Sequence, residues 1–119
     1  GESIGSYPAA KLANKYQNGK LIILYGLHSL SLTTKHLYPL LYPFIKLFVS
    51  KDLRVYKELE TYNGKTLIIH SKEDRIVSYN NAIENSKIKT NGHIKLVTIT
   101  GGHNGPNIDW ETINQFVKS

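Results

Sequence analysis

Cysteine and methionine are both absent from this 119-residue sequence. Without cysteine the chain forms no disulfide, no thiolate metal site and has no cysteine nucleophile. A cysteine-free chain fits a reducing compartment, so we expect a cytoplasmic protein, with attachment to a membrane surface as a variant of that expectation. Because the first five residues already form a motif that is typical of mid-chain positions, we also expect a fragment or a processed product.

Long apolar runs and acidic residues are also scarce. The longest apolar stretch, residues 37–49, is interrupted by Pro39, Pro43 and Lys46 and is shorter than the ~20 residues that a membrane-spanning helix needs. The 15 Lys and Arg residues exceed the 9 Asp and Glu residues and give a net charge of +6. These basic residues are scattered instead of clustered with stacking aromatics, so we expect a solvated surface and no nucleic-acid partner.

A regular alternation of helices and buried strands is present instead. Apolar runs predict strands at residues 21–25, 66–70 and 93–99. Helices are predicted at residues 4–16, 78–86 and 109–118, the first ended by Asn18-Gly19 and the others capped by Ser78 and Asp109. The sequence therefore predicts the α/β class: one three-layer α/β/α domain over residues 1–119, with a mostly parallel sheet and its chemistry at the carboxyl ends of the strands.

The first candidate motif is Gly1-Glu2-Ser3-Ile4-Gly5, which has the pattern Gly-x-Ser-x-Gly directly before a predicted helix. Glycines permit a serine on a sharp strand-to-helix turn, where bulky flanking side chains would clash. We expect the Ser3 hydroxyl to stand clear of the sheet and the Ile4 amide to point at a developing oxyanion. Taken alone, the pentapeptide fits an ordinary tight turn equally well.

A carboxylate follows the second predicted strand, within Ser71-Lys72-Glu73-Asp74. At the carboxyl end of a parallel strand, Asp74 can reach a histidine that follows the neighbouring strand. Glu73 is the competing carboxylate. The commoner use of a loop aspartate is to shape a turn or a helix start, and that interpretation stays open.

A histidine follows the third predicted strand, in Thr100-Gly101-Gly102-His103. Two glycines allow the backbone to bend so that the imidazole swings over the sheet edge, and a serine nucleophile needs such a base. A single loop histidine is more often solvated. The chain order of serine, then acid, then histidine is the one expected of α/β-hydrolases and differs from other triad folds.

With these motifs the chain resembles the α/β-hydrolase superfamily from its nucleophile elbow onwards, and more narrowly the abhydrolase-domain serine hydrolases that include protein depalmitoylases. The narrower resemblance rests on Gly1-Glu2-Ser3-Ile4-Gly5-Ser6, Ile69-His70-Ser71-Lys72-Glu73-Asp74 and Gly101-Gly102-His103-Asn104. It implies the C-terminal half of the fold, with Ser3 as nucleophile, Asp74 as acid and His103 as base. It also implies cleavage of a small-molecule or acyl-chain ester or thioester, without cofactor; the histidine spacing suggests no metal site.

The resemblance leaves several expectations beside the main one. The strands before the elbow and the loop giving a second oxyanion donor are missing, so we expect the isolated chain to be inactive without its N-terminal half. Residues 27–62 form a lid or connection whose aromatics suit an acyl-chain wall, an ordinary core or a membrane-contacting patch. The rival function is a non-catalytic binding module on a hydrolase scaffold.

Overall fold

The computed structural model describes residues 1–2, 5–17, 19–26, 28, 54–90, 92–103 and 105–119. Ser3, Ile4, Asn104 and most of the predicted lid segment 27–62 lie outside these described residues. In chain order the described elements are α1 (Ser6–Tyr16), β1 (Lys20–Leu24), α2 (Val55–Thr61), β2 (Lys65–Ser71), α3 (Asn80–Ser86), β3 (His93–Ile99) and α4 (Trp110–Lys118).

Within the described residues, β2 is the central strand of a three-stranded parallel sheet with the order β1-β2-β3. The ladder with β1 runs from Lys20↔Lys65 to Leu24↔Ile69, and the ladder with β3 continues to Ser71↔Ile99. Every residue of β2 after Lys65 is buried, whereas β1 and β3 are partly exposed. The predicted parallel sheet is confirmed.

Alternate side chains of the strands pack against helices on opposite faces of the sheet. On one face Ile23 and Ile68 join a buried cluster with residues of α1, α2 and α3. On the other face Leu67 and Ile69 pack against Ile113 of α4. This arrangement gives the predicted three-layer α/β/α architecture. None of the helices in the described part of the chain is long and apolar enough to cross a membrane.

The end of α1 at Tyr16 is confirmed, whereas the conformation of the residue that caps it was not predicted. The helix stops at Tyr16, and Gln17 takes the left-handed cap conformation with φ 59°, ahead of the expected Asn18-Gly19 stop. The Gln17 side chain donates to Asn14 Oδ1 at 2.6 Å and accepts from the Asn63 amide at 2.8 Å. These side-chain bonds compensate for a backbone conformation that normally favours glycine or asparagine.

Of the two predicted helix caps, the one for α3 is wrong and the one for α4 is confirmed. The predicted Ser78 cap is wrong, because α3 begins at Asn80 and Ser78 lies in the preceding turn, where its carbonyl accepts from the Asn81 amide at 3.0 Å. The predicted Asp109 cap is confirmed: its side chain accepts from the amides of Glu111 and Thr112 at the start of α4. Only the second helix start therefore has the side-chain cap that its sequence suggested.

Candidate active site

The candidate site lies at the carboxyl edge of the sheet, where the three strands end side by side. Tyr25 directly follows β1, Asp74 lies three residues beyond β2, and His103 lies beyond β3. Because the strands are parallel, these chain segments emerge at the same edge. The sheet therefore brings residues that are far apart in sequence into one neighbourhood.

The Asp74 carboxylate is buried and fully engaged. Its side chain is 1% exposed, and Oδ1 accepts from the amides of Ile76 and Val77, both at 2.9 Å. This oxygen shapes the turn after β2, as the commoner interpretation of a loop aspartate expected. The second oxygen, Oδ2, faces His103. One carboxylate thus serves both the turn and the neighbouring imidazole.

His103 Nδ1 lies 2.8 Å from Asp74 Oδ2. An ionised carboxylate only accepts hydrogen bonds, so the imidazole carries its proton on Nδ1 and keeps the lone pair of Nε2 available as a base. The buried negative charge beside Nδ1 also stabilises the imidazolium that forms when Nε2 takes a proton. The His103 side chain is 12% exposed, so the ring is held yet reachable.

The loop that carries His103 needs one of its two glycines. Gly101 has φ 95°, and a Cβ there would collide with the Gly105 carbonyl oxygen. A Cβ on Gly102 would meet no described atom within 4 Å. The expectation that both glycines bend the backbone is therefore wrong for Gly102, and Gly101 alone supplies the left-handed conformation.

Glu73, the competing carboxylate, bonds to the histidine loop by another route. Its Oε2 accepts from the Gly101 amide at 3.1 Å, and its own amide donates to Ser71 Oγ at 3.0 Å. It therefore connects the acid loop to the histidine loop through the backbone, while Asp74 makes the contact with the imidazole.

His70 is a further neighbour of the carboxylate. The ring is fully buried, and its Nε2 lies 2.7 Å from the Val77 carbonyl oxygen and 3.4 Å from Asp74 Oδ2. Nε2 therefore carries the proton and donates to Val77, and Nδ1 has no hydrogen-bond partner among the described residues. Burial lowers the pKa of His70 and outweighs the opposite effects of Val77 and Asp74. The ring that contacts Asp74 is therefore neutral.

The described residues around the Gly-x-Ser-x-Gly motif run from an extended segment into a helix. The Gly1 amino group donates to the Ile22 carbonyl at 2.7 Å, Glu2 bridges to Leu24 in parallel, and α1 begins at Ser6. A Cβ on Gly1 would lie 2.7 Å from that of Ala9, so a larger residue clashes there as expected.

Gly5 departs from that expectation. A Cβ on Gly5 would meet no described atom within 4 Å, and its φ is −65°, so neither space nor backbone requires a glycine. The sequence argument from clashing neighbours therefore applies to the first glycine of the motif and is wrong for the second.

The structure brings together two of the predicted site residues, Asp74 and His103, while Ser3 and Ile4 lie outside the described residues. A shallow surface depression lies beside the imidazole. It is lined by Glu73, Arg75, Ile76, Gly102, His103 and Gly105. Among the described residues, no group of three or more His, Asp or Glu side chains could hold a metal ion.

Comparison with solved structures identifies the fold. Est1E from Butyrivibrio proteoclasticus matches with a TM-score of 0.68 and 21% identity over 99% of this chain and 57% of its own. A structure of Est1E with ferulic acid bound matches with 0.66 and 20%, over 99% and 55%. The esterase domain of a Rhodothermus marinus protein matches with 0.64 and 15%, over 87% and 49%. The chain has a partial α/β-hydrolase fold.

These similarities are structural and cover a part of each neighbour. The chain spans about half the length of the esterases that it matches: 57%, 55% and 49%. No family model and no curated protein matches the sequence.

The buried His70 predicts how stability depends on pH. Its folded pKa lies below the ordinary 6.5, so as pH falls the unfolded chain takes up this proton first. The stability that is linked to His70 is fully present above pH 6.5. Below that pH the free energy of unfolding falls, by at most about 1.4 kcal/mol per pH unit for one proton. His70→Gln, which keeps a donor toward Val77, should weaken this dependence.

Urea unfolding at a series of pH values on both sides of 6.5 measures the effect. His93→Gln, at an exposed position at the start of β3, is the matched control and should retain the native dependence. Parallel stability curves for the native protein and His70→Gln would contradict the prediction.

Proposed function

We propose that the protein is a serine hydrolase that cleaves a carboxylic ester or thioester through an acyl-enzyme intermediate. Ser3 is the nucleophile, Asp74 the acid and His103 the base. The observation that supports this proposal most strongly is the 2.8 Å contact between Asp74 Oδ2 and His103 Nδ1 at the carboxyl edge of the sheet. Glu2, which precedes Ser3 in the sequence, pairs with Leu24 of the same sheet, and α1 begins at Ser6.

In the acylation step His103 Nε2 takes the proton from the Ser3 hydroxyl as Oγ attacks the substrate carbonyl carbon. The Ile4 amide and a second donor hold the negative oxygen of the tetrahedral intermediate. When the intermediate collapses, the bond to the leaving alcohol or thiol breaks and His103 returns the proton to that group.

In the deacylation step a water molecule attacks the acyl-enzyme, with His103 Nε2 again taking the proton. Collapse of the second intermediate releases the carboxylic acid and returns the proton to Ser3 Oγ. Asp74 contributes by holding the Nδ1–H tautomer and by stabilising the positive ring in both steps, as the 2.8 Å contact supports.

The substrate class is drawn from the resemblance and from the solved neighbours. Both solved neighbours are esterases by name, and one was solved with ferulic acid bound, which favours an oxygen ester of a carboxylic acid. The depalmitoylase resemblance adds a long-chain thioester as the second substrate class. We propose a cytoplasmic location with peripheral membrane contact, since the chain is cysteine-free and strongly basic.

The nucleophile assignment predicts the result of Ser3→Ala in the full natural chain. Removing the nucleophile of such a triad costs about 10⁶ in turnover, so ester hydrolysis and covalent labelling by a fluorophosphonate should both be lost. Ser119→Ala is the matched control and should label like the native protein, because Ser119 lies at the exposed end of α4. Labelling that survives Ser3→Ala would refute the assignment.

The two carboxylates of the acid loop predict different losses. Asp74→Asn should lower kcat by about 10⁴, because an amide stabilises the wrong imidazole tautomer. Glu73→Gln should lower it by less than about tenfold, because the amide oxygen can still accept from Gly101. Steady-state kinetics on both variants test this difference, and the reverse ranking would make Glu73 the acid.

The isolated 119-residue chain is the third test. We propose that it has little activity, since it spans 57% of the first neighbour and the resemblance places the second oxyanion donor upstream of the elbow. Its turnover should fall at least about 10²-fold below that of the full natural chain, the usual cost of losing one oxyanion donor. Equal rates would overturn the proposal, and an inactive full chain would favour a non-catalytic binding module.

A further inference from the structure

We propose that Tyr25 is a positioning residue that sets the orientation of the His103 imidazole and joins it to the residue before the nucleophile. This inference rests on the proposed function, because the orientation matters only if the ring acts as a base. It is drawn from three separate features of Tyr25: its backbone conformation, its ring contact and its hydroxyl group.

The backbone of Tyr25 is in a conformation that non-glycine residues rarely adopt. Its φ is 42°, and the only other described non-glycine residue with positive φ is Gln17, which ends a helix. Tyr25 instead follows a strand, where its amide donates to the Ile69 carbonyl at 2.7 Å. Strained backbone of this kind persists where surrounding contacts fix it, and it concentrates at functional sites.

The strained backbone places the Tyr25 ring against the base. The ring centroids of Tyr25 and His103 are 4.9 Å apart, and the planes meet edge to face at 70°. The hydrogen bond from Nδ1 to Asp74 fixes one edge of the imidazole, while the side-chain torsions still leave the Nε2 edge some freedom to shift. A ring packed at a steep angle removes that freedom, so Nε2 keeps one direction.

The hydroxyl group of Tyr25 lies near Glu2, the residue before Ser3. It interacts electrostatically with the nearby Glu2 carboxylate, and Glu2 pairs with Leu24. Burial first, and then the nearby charge of Glu2, raise the pKa of Tyr25 above its ordinary value of 10.0, so the phenol keeps its proton. Tyr25 therefore spans from the residue that precedes Ser3 to the imidazole.

Tyr25→Leu in the full natural chain tests the role of the ring. Loss of one aromatic contact and of a fixed ring direction should lower kcat roughly tenfold while KM changes little. Tyr25→Phe keeps the ring and should recover most of the rate. Tyr16→Leu is the matched control, because Tyr16 is 63% exposed at the end of α1, and it should not alter either constant.

A second measurement does not depend on turnover. Solvent exchange of the His103 Nδ1 proton, followed by NMR, should be faster in Tyr25→Leu and close to native in Tyr25→Phe. If the native chain hydrolyses no ester but this exchange responds, the proposed function fails and the positioning role of Tyr25 stands. Unchanged exchange in Tyr25→Leu overturns the inference, whatever the activity. Should Tyr25→Leu not fold, Tyr25→Asn gives the same test, because asparagine tolerates positive φ.

Discussion

The arrangement depends on the parallel ladders that hold β2 on both sides. Ile69 is paired with Leu24 of β1 and with Val97 of β3, and every residue of β2 after Lys65 is buried. A shift of one residue in either ladder would turn the apolar side chains of a whole strand to the wrong face. The register that protects the core therefore also fixes where the three following loops begin, and the polar contacts of the site are built on those loops.

Much of the frame follows from local sequence patterns. The strand at residues 93–99 was predicted with its observed bounds, because Asn91-Gly92 predicts a turn before it and an apolar run follows. Asp109 caps α4 as predicted, since a cap needs only the following two or three amides. The contact between Asp74 and His103 followed from chain order combined with the geometry of parallel sheets.

The features that were not predicted depend on contacts between distant segments. Ser78 does not cap α3, because the turn organised by Asp74 continues past it. Gln17 ends α1 with the help of a bond from Asn63. Tyr25 has positive φ although no local pattern signals it. The contact of His70 with the Asp74 carboxylate is indicated in the sequence only by a polar residue in an apolar strand, four positions before an aspartate.

The acid loop takes most of its shape from its own neighbours. The donors to Asp74 Oδ1 are two and three residues away, and His70 is four residues away, whereas His103 is 29 residues away. The β2–β3 ladder and the bond from the Gly101 amide to Glu73 already close most of this long connection, so the contact of the imidazole adds little further loss of chain entropy. The local hydrogen bonds can orient the Asp74 carboxylate as β2 folds. The segment after β3 then has only to bring the His103 imidazole to it.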